Sequence, residues 1–547
     1  MIGIPLNKLS QDGIGFMAYR KNVRLGKRRL AHLAGLEGRV ESYTSGFIRA
    51  CVLAALVILQ FAIIIGVALF LGQFSTLFYF LMEGMGIIVV LILTNDNRSM
   101  AYKFGWVCII MLLPIAGTIM FFMFGRVGKN NSLNRRIAAR FAEVDKYLEF
   151  DDSISEEFRL SHPVSSRISS YMTAEGSPLY KNTEVTYYEM GELILDDIFE
   201  KLESAKRFIF LEFFIVAEGA LWDKLHELLL RKKSEGVEIK FLFDDFGALM
   251  RTPTSFASSL RAEGIDVVVF NPIGHYINRL YMNFRTHQKI VVVDGEYAYT
   301  GGFNIADEYA NLVERFGVWK DGGIRIRGDA VWGMTIAFLE MWGASVPQTK
   351  LDCMKYKTEN RDIVSNVYCH VLRDGPALGP RSFFQTAYKQ IIQYAEKKLY
   401  VTTPYLILED VMIDSLIEAK ARGVDVRIIT PNIPDKKRVK MMTEYNYGAL
   451  LEAGIRIYEY TPGFIHTKAI LNEHCAMVGT VNMDYRSFYL HYENGVWVYD
   501  SDFVDALEND IMETVGVSHE VSLEEWRRRP RRRKIQQFFL KAFDSLV

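Results

Sequence analysis

The chain has 547 residues, more than a single hydrophobic core usually organises, so we expect several structural units. Its 64 Lys and Arg residues balance 65 Asp and Glu residues, and this near-zero net charge gives no general argument for nucleic-acid binding. The five cysteines are scattered without paired spacing, which argues against a disulfide framework or a zinc site.

The first predicted elements are hydrophobic and lie in residues 47–126. Three apolar runs can be separated there, at residues 47–71, 77–94 and 104–125. The first run is long enough to cross about 30 Å of hydrocarbon at about 1.5 Å per residue. Because residues 1–46 are mostly polar, a secretory signal is not expected. We predict N-terminal transmembrane helices.

Basic stretches flank this hydrophobic region on both sides, at residues 18–29 and 125–140. The positive-inside rule places both stretches in the cytoplasm, which requires an even number of crossings. We therefore expect two crossings, with one run re-entrant or interfacial. Either the second run, which carries Glu83, or the third, which is broken by Pro114 and Gly117, could be that run.

Beyond a polar linker, strands and helices alternate, and they do so twice in the same order. The corresponding strand pairs are RFIFLEFFIV (207–216) with VEIKFLFDD (237–245), and KLYVTTPYLI (398–407) with VDVRIITPN (424–432). Gly236 and Gly423 stand at equivalent helix ends, where glycine commonly stops a helix. The pattern predicts two α/β units related by a pseudo-two-fold axis.

A His-x-Lys pair follows in each unit, namely His287 with Lys289 and His466 with Lys468. Residues two apart on a strand point to the same face, so each pair projects from one spot. One such pair is weak support for a site. Two copies are far stronger because each is followed by a Gly-x-x-Asn segment, at residues 301–304 and 479–482.

If the two units pack so that both motifs meet, one cleft holds two His, two Lys and two Asn side chains. Ammonium and amide groups suit the non-bridging oxygens of a phosphodiester. One imidazole can attack phosphorus while the other protonates the leaving alkoxide. Each ring needs a carboxylate on its second nitrogen, and Asp321 and Glu493 are the candidates. This chemistry requires no metal and no cofactor.

The segment HQKIVVVDG…GGFN resembles the signature of the phospholipase D superfamily, and the likeness runs closer to the bacterial cardiolipin synthases. The segments NRLYMNFRTHQK, WKDGGIRIRG, TPYL and GTVNMDYRSFYLHYENGVW and the membrane segment 95–126 are also similar to that family. The resemblance implies an α/β fold in which N-terminal transmembrane helices precede two tandem α/β/α units. Their mixed sheets, flanked by helices, would surround one catalytic site.

The resemblance also implies a reaction, in which two phosphatidylglycerols give cardiolipin and glycerol through a covalent phosphatidyl-histidine. His287 would be the nucleophile, and His466 the general acid and then the base. The implied catalytic set is His287, Lys289, Asp294, His466, Lys468 and Glu473, the implied phosphate-binding set is Asn304, Asn482, Gly302 and Thr480, and the His-orienting residues are Asp321 and Glu493.

The second motif departs from the family pattern, because Glu473 stands where the family has Asp and the interval from His466 to Gly479 is one residue shorter than in the first motif. Either Glu473 substitutes for Asp, or the turn has lost a residue. We expect this carboxylate to brace the strand end. Near Asp321, Gly322 and Gly323 stand where the family commonly has Thr-His.

We divide the chain into six segments, namely 1–46 (basic N-terminal segment), 47–126 (membrane domain), 127–162 (linker), 163–350 (first half), 351–518 (second half) and 519–547 (tail). The basic tail with its apolar residues is expected to bind the anionic membrane surface. The other expected partners are phosphatidylglycerol and cardiolipin in the bilayer, without nucleic acid and with an oligomer possible. The expected location is the bacterial cell membrane, with the catalytic part in the cytoplasm.

Three other functions remain open from the sequence. The same site could use water or another alcohol as acceptor, since the motifs do not include the acceptor pocket. A nuclease of the same superfamily is less compatible with the hydrophobic region and the near-neutral charge. An inactive membrane scaffold is supported by Glu473 and the shortened second motif alone.

Overall fold

The computed structural model describes residues 75–95, 100–112, 132–272, 284–346, 351–359 and 362–541, with residues 58, 62, 117, 118 and 121. The predicted run at 47–71 lies outside the described residues apart from two positions, and residues 1–46 lie outside them entirely. Within the described part, no helix combines the length and the apolar character needed to cross a membrane. The number of crossings therefore stays a prediction.

The helices in chain order are α1 Ser75–Thr94, α2 Met100–Leu112, α3 Ser132–Val144, α4 Asp152–Ser161, α5 Ser165–Ala174, α6 Gly191–Ser204, α7 Ala220–Ser234, α8 Asp245–Ala248, α9 Phe256–Ala262, α10 Val331–Ser345, α11 Phe383–Gln393, α12 Asp410–Ala421, α13 Lys437–Glu452, α14 Tyr485–Tyr489, α15 Ser501–Gly516, α16 Leu523–Arg527 and α17 Arg531–Lys541. Short 3-10 turns occur at Asp145–Tyr147, Asp307–Ala310 and Cys353–Tyr356.

The strands in chain order are β1 Leu179–Tyr180, β2 Thr183–Tyr188, β3 Phe208–Phe213, β4 Glu238–Asp244, β5 Asp266–Phe270, β6 Arg285–Thr286, β7 Ile290–Val293, β8 Tyr297–Gly301, β9 Val318–Lys320, β10 Gly323–Gly328, β11 Tyr368–Asp374, β12 Lys398–Thr402, β13 Leu406–Ile407, β14 Asp425–Pro431, β15 Arg456–Tyr460, β16 Gly463–Ile465, β17 Ala469–Asn472, β18 Ala476–Gly479, β19 Met483–Asp484, β20 His491–Tyr499 and β21 Ser518–Glu520.

Two mixed sheets carry the fold, and their strand orders match. The first runs β2-β10-β8-β7-β3-β4-β5, and the second runs β1-β11-β20-β18-β17-β12-β14-β15-β21. In both, three neighbouring strands are parallel, β3-β4-β5 and β12-β14-β15, and an antiparallel strand, β7 or β17, lies beside the first of them. The predicted tandem α/β architecture is confirmed.

Local sequence explains why β3 lies inside its sheet and where the helices before β4 and β14 end. Every residue of β3 is buried, in keeping with its unbroken apolar run, because a parallel strand covered on both faces does not alternate. The helices before β4 and β14 end where Gly236 and Gly423 adopt φ of +89° and +94°. Few residues other than glycine accept that left-handed conformation, so the helix stops there.

Buried apolar side chains and buried charged side chains connect the two sheets. Helix α10 is buried along almost its whole length, and its Phe338 stacks on Phe210 of the first sheet at 4.6 Å between ring centroids. On the same helix Glu340 binds Arg373 of β11 at 2.8 Å. One buried cluster therefore contains residues of both halves.

The observed organisation differs from the predicted segments around residue 163. Two helices, α3 and α4, lie in the predicted linker, residues 127–162. Strand β1, which the sequence analysis assigns to the first half, pairs with β11 of the second sheet. Ile168 of α5 likewise shares a buried cluster with Leu399. An amphipathic helix can cover either sheet, so its position in the sequence does not identify the half on which it packs.

Candidate active site

Two short strand pairs cross between the halves and fix where the motifs lie. Strand β6, just before His287, runs parallel to the start of β20 in the second half. Strand β16, just before His466, runs parallel to β9 in the first half. The backbone N–H of His287 donates to the carbonyl of Tyr492 at 2.8 Å, and that of His466 donates to the carbonyl of Lys320 at 2.7 Å. Each motif is thus held by the opposite half.

Each imidazole is also oriented by a carboxylate from the opposite half. His287 Nδ1 lies 3.0 Å from both carboxylate oxygens of Glu493, and His466 Nδ1 lies 2.7 Å from Asp321 Oδ2. Both carboxylates are fully buried. A hydrogen bond on Nδ1 fixes the ring and leaves Nε2 available for reaction. The two pairs are related by the same pseudo-two-fold symmetry as the sheets.

A single cavity of about 510 Å³ brings the two motifs together. Its lining includes both histidines, His287 and His466, and both asparagines, Asn304 and Asn482. Asn304 is fixed because its Oδ1 accepts from the backbone N–H of Ile215 at 2.9 Å. A volume of this size accommodates the head-group end of a lipid, with the acyl chains outside.

The two motif lysines lie behind the histidines and are fully buried. Lys289 Nζ donates to the backbone carbonyl of His287 at 2.7 Å, and Lys468 Nζ donates in the same way to that of His466. Burial lowers the pKa of Lys289 to about 7 and that of Lys468 to about 8. The charge on both lysines is therefore sensitive to pH near neutrality.

The electrostatics favour the neutral form of both imidazoles, and one of the two histidine–carboxylate pairs can still keep a proton. Burial, followed by the nearby lysine charges, lowers the pKa of both His287 and His466. Burial raises the pKa of Asp321 to about 7. The His466–Asp321 pair can therefore hold a proton near neutral pH. A neutral His287 is able to act as a nucleophile.

Gly302 and Thr480 do not line the cavity, and both contact the orienting carboxylates. A Cβ at Gly302 would come within 2.0 Å of Asp321 Oδ1 and 2.7 Å of the carbonyl of His466. Thr480 donates its hydroxyl hydrogen to Glu493 Oε2. The expected phosphate-binding role of these two residues stays a prediction. The contacts that the structure shows support the two histidine–carboxylate pairs.

Asp294 and Glu473 lie away from the cavity and hold equivalent strand ends. The carboxylate of Asp294 accepts three backbone N–H groups at the start of β3, at 2.7–2.8 Å. Glu473 accepts three at the start of β12, at 2.8–3.3 Å. The longer Glu side chain thus makes the same set of bonds from a turn that is one residue shorter. This is the bracing that the sequence analysis expects.

One histidine near the reaction centre has no role in the sequence analysis. The ring of His491 lies 5.4 Å from that of His287, and its Nδ1 lies 3.5 Å from Glu493 Oε1. The available signal was its position two residues before Glu493 on one strand, which puts both side chains on the same face.

Two groups of described side chains are close enough to hold a metal ion, namely His287, His491 and Glu493, and Glu396, Glu473 and His474. In the first group, Glu493 already binds the Nδ1 that orients His287. In the second, Glu473 is occupied by three backbone N–H groups. The expectation of a metal-free reaction remains a prediction.

Comparison with known proteins follows the same division into halves. A family model described as "Cardiolipin synthase, PLD-like domain" matches residues 198–317 and 388–514, and one described as "Phospholipase D-nuclease N-terminal" matches residues 85–126. A cardiolipin synthase of Geobacillus sp. (strain WCH70) is 30% identical over 81% of this chain and 88% of its own. The chain belongs to the bacterial cardiolipin synthase family of the phospholipase D superfamily.

Two further comparisons show how far the likeness in sequence and in fold extends. An uncharacterized protein of Streptococcus mutans serotype c is 36% identical over 79% of this chain and 94% of its own. The crystal structure of phosphatidylserine synthase from Haemophilus influenzae Rd KW20 shares the fold, with a TM-score of 0.53 and 14% identity over 70% of this chain and 98% of that one. Family membership makes the protein a phosphatidyltransferase of the phospholipase D type.

Proposed function

We propose that the protein is a membrane-bound cardiolipin synthase, which converts two phosphatidylglycerols into cardiolipin and glycerol. The observation that supports this most is the shared cavity, in which two histidines from matched halves each hold a carboxylate of the opposite half. Such an arrangement suits in-line displacement at a phosphodiester in two steps. The names of the cardiolipin synthase relatives supply the product, cardiolipin.

In the first step, His287 Nε2 attacks the phosphorus of the donor phosphatidylglycerol. The phosphorus–nitrogen bond forms as the bond to the glycerol oxygen breaks, and His466 gives its proton to that oxygen. Glycerol leaves, and the phosphatidyl group stays on His287. Glu493 stabilises the positive charge that develops on the attacking ring, since it binds the Nδ1 proton.

In the second step, a hydroxyl group of another phosphatidylglycerol gives its proton to His466 and attacks the same phosphorus. The bond to His287 breaks, and cardiolipin forms. Because His466 must lose a proton in one step and accept one in the next, its partner Asp321 should stabilise both states. Direct transfer between lipids requires that water does not reach phosphorus first.

Phosphate binding is assigned to the polar groups that surround the two rings. Asn304 and Asn482 line the cavity and would donate their amide hydrogens to the non-bridging oxygens. Lys289 and Lys468 do not line the cavity, and each donates one hydrogen to a histidine carbonyl behind it. Their charges would offset that of the bound phosphodiester.

The proposed location is the bacterial cell membrane, with residues 47–126 as the membrane domain and the halves 163–350 and 351–518 in the cytoplasm. Helix α1 exposes apolar side chains such as Leu91 and Ile92, which are 58% and 61% exposed. Tyr102 of α2 stacks on Tyr485 in the cavity wall, with ring centroids 5.9 Å apart. The exposed apolar face of α1 and the contact between α2 and the cavity wall favour a site that receives lipids directly from the bilayer.

Product analysis tests the proposal. Purified full-length protein is incubated with vesicles of phosphatidylglycerol labelled separately in the head-group glycerol and in the acyl chains. We expect one glycerol released for each cardiolipin formed, and no turnover by the His287→Ala and His466→Ala variants. Glycerol release with phosphatidic acid in place of cardiolipin would overturn the proposed acceptor and identify a hydrolase.

A further inference from the structure

The proposed reaction brings two phosphodiesters to the cavity, and the paired motifs supply cations for the one that reacts. The acceptor lipid carries its own phosphate, which stays intact and has to be held near its attacking hydroxyl. Burying that negative charge without a cation would be costly. The same cavity should therefore hold a second cationic group, outside the two motifs, that binds this phosphate.

Arg486 meets this requirement by position. It lies on the short helix α14, four residues beyond Asn482, and lines the same cavity as both histidines. Among the described residues, no carboxylate oxygen lies within 4.0 Å of its guanidinium nitrogens and no side-chain hydrogen bond engages them. Its electrostatic neighbours are Asp484, which favours the charged form, and Arg285, which disfavours it.

The other arginines that line the cavity are committed to protein groups. Arg251 and Arg315 each donate to Glu308 Oε1 at 2.7 Å. Arg285 donates to the carbonyl of Asn271 at 2.9 Å and lies 3.4 Å from Asp244 Oδ1. Arg486 differs from all three because, among the described residues, no such bond ties its guanidinium to a protein group. A ligand in the cavity could therefore bind it.

We infer that Arg486 binds the phosphate of the acceptor lipid and so selects a phospholipid acceptor over water or a free alcohol. This inference rests on the proposed function and adds a specificity-determining residue to it. A guanidinium presents two parallel N–H donors that match two phosphate oxygens. An anion there also offsets the like charges of Arg486 and Arg285.

Two reactions of this protein distinguish binding of the acceptor phosphate from the chemical steps on the donor lipid. Cardiolipin synthesis uses an acceptor that carries a phosphate, whereas exchange of labelled free glycerol into phosphatidylglycerol uses a neutral one. Both pass through the same two histidines. For Arg486→Gln we expect cardiolipin synthesis on phosphatidylglycerol vesicles to fall at least tenfold, with glycerol exchange within twofold of the wild type.

Two further variants complete the design. Arg486→Lys keeps a point charge and should restore part of the cardiolipin synthesis. Arg327→Gln removes an arginine that binds Asp362 away from the cavity, and should change neither reaction. Thermal unfolding checks that each variant folds, and Arg486→Met, which also removes the charge, replaces Arg486→Gln in the comparison if the latter does not.

The inference is overturned if Arg486→Gln slows both reactions equally, which would indicate a general structural role, or if it slows neither. If the wild type exchanges glycerol but makes no cardiolipin, the proposed function fails and this inference fails with it. A selective loss of cardiolipin synthesis with glycerol exchange preserved supports both.

Discussion

At the scale of single residues, the site depends on two hydrogen bonds that cross between the halves. Glu493 of the second half orients His287, and Asp321 of the first half orients His466. The sequence identified both carboxylates as candidates because each follows a motif at a suitable distance. It could not show which ring each one binds, since that depends on how the halves pack. The crossed pairing makes the two halves mutually dependent.

The crossed pairing predicts different defects for the two carboxylates. With an ester of phosphatidic acid and p-nitrophenol, the leaving group needs no proton. We expect Glu493→Gln to slow the burst of p-nitrophenolate by roughly 10²–10⁴-fold, because it supports the nucleophile. Asp321→Asn should leave the burst nearly unchanged and slow cardiolipin synthesis from phosphatidylglycerol. Rapid-quench kinetics measure both, and the reverse pattern would contradict the assigned roles.

The buried lysines predict how activity depends on pH. Burial lowers the pKa of Lys289 to about 7 and that of Lys468 to about 8. As pH rises through these values the ammonium groups lose their charge, so the free site should bind a phosphodiester less well. We therefore expect kcat/KM to fall above about pH 7–8, and kcat to fall less, because bound phosphate favours the charged lysines. A kcat/KM that stays constant to pH 9 would contradict this.

At the scale of elements, the repeat explains how an altered motif keeps its fold. Asp294 and Glu473 make the same three bonds to the starts of β3 and β12, although their turns differ in length. The altered second motif therefore gives no support to an inactive scaffold. The Asp position of the motif serves the strand, and the longer side chain compensates for the shorter turn.

This bracing predicts a loss of stability without a direct loss of chemistry. Glu473→Ala should lower the free energy of unfolding by about 1–3 kcal/mol, since three backbone N–H groups lose their acceptor. Below its melting temperature the variant should keep its rate. Denaturant unfolding and cardiolipin synthesis at low temperature measure the two effects, with Glu296→Ala, at an exposed residue of the equivalent turn in the first half, as the control. An unchanged unfolding midpoint would contradict the bracing role.

The strands could be predicted from the sequence more readily than the other parts of the fold. The apolar runs at β3 and β12 and the glycines at 236 and 423 carry local signals for strand and helix end, and both halves repeat them. The pairing of β1 with β11 carries no such signal, because two residues have no periodicity of their own. The crossing pairs β6–β20 and β9–β16 join only two and three residue pairs, and they depend on the contact between halves.

At the scale of the whole molecule, the site has to lie against a bilayer. Helix α17 is held to α13, where Arg533 binds Glu444 and Gln537 Nε2 donates to the carbonyl of Met441 at 3.0 Å. Its outer face carries Ile535, Phe538 and Phe539, which are 59–68% exposed beside several arginines. Helix α13 begins next to Lys436 in the cavity lining. If the site lies against a bilayer, as proposed, this placement would let the tail hold the cavity near the lipid surface.

The proposed membrane-docking role of the tail predicts an effect on turnover that differs between vesicles and a monomeric substrate. Replacing Phe538 and Phe539 with Ser should slow turnover of phosphatidylglycerol vesicles several-fold, with little effect on a monomeric short-chain analogue. Val364→Ser, at a residue 91% exposed elsewhere on the surface, is the matched control. Equal rates on vesicles for the tail variant and the control would contradict a role in membrane docking.

The proposed mechanism depends above all on two imidazoles acting on one phosphorus. Trapping the phosphatidyl-histidine intermediate tests this most directly. The full-length protein is mixed with phosphatidylglycerol, quenched in acid and digested, and the peptides are mapped by mass spectrometry. We predict a phosphatidyl adduct on His287 in the wild type and none in His287→Ala. Cardiolipin formation without an adduct on either motif, or an adduct on His466 while His287→Ala remains active, would contradict it.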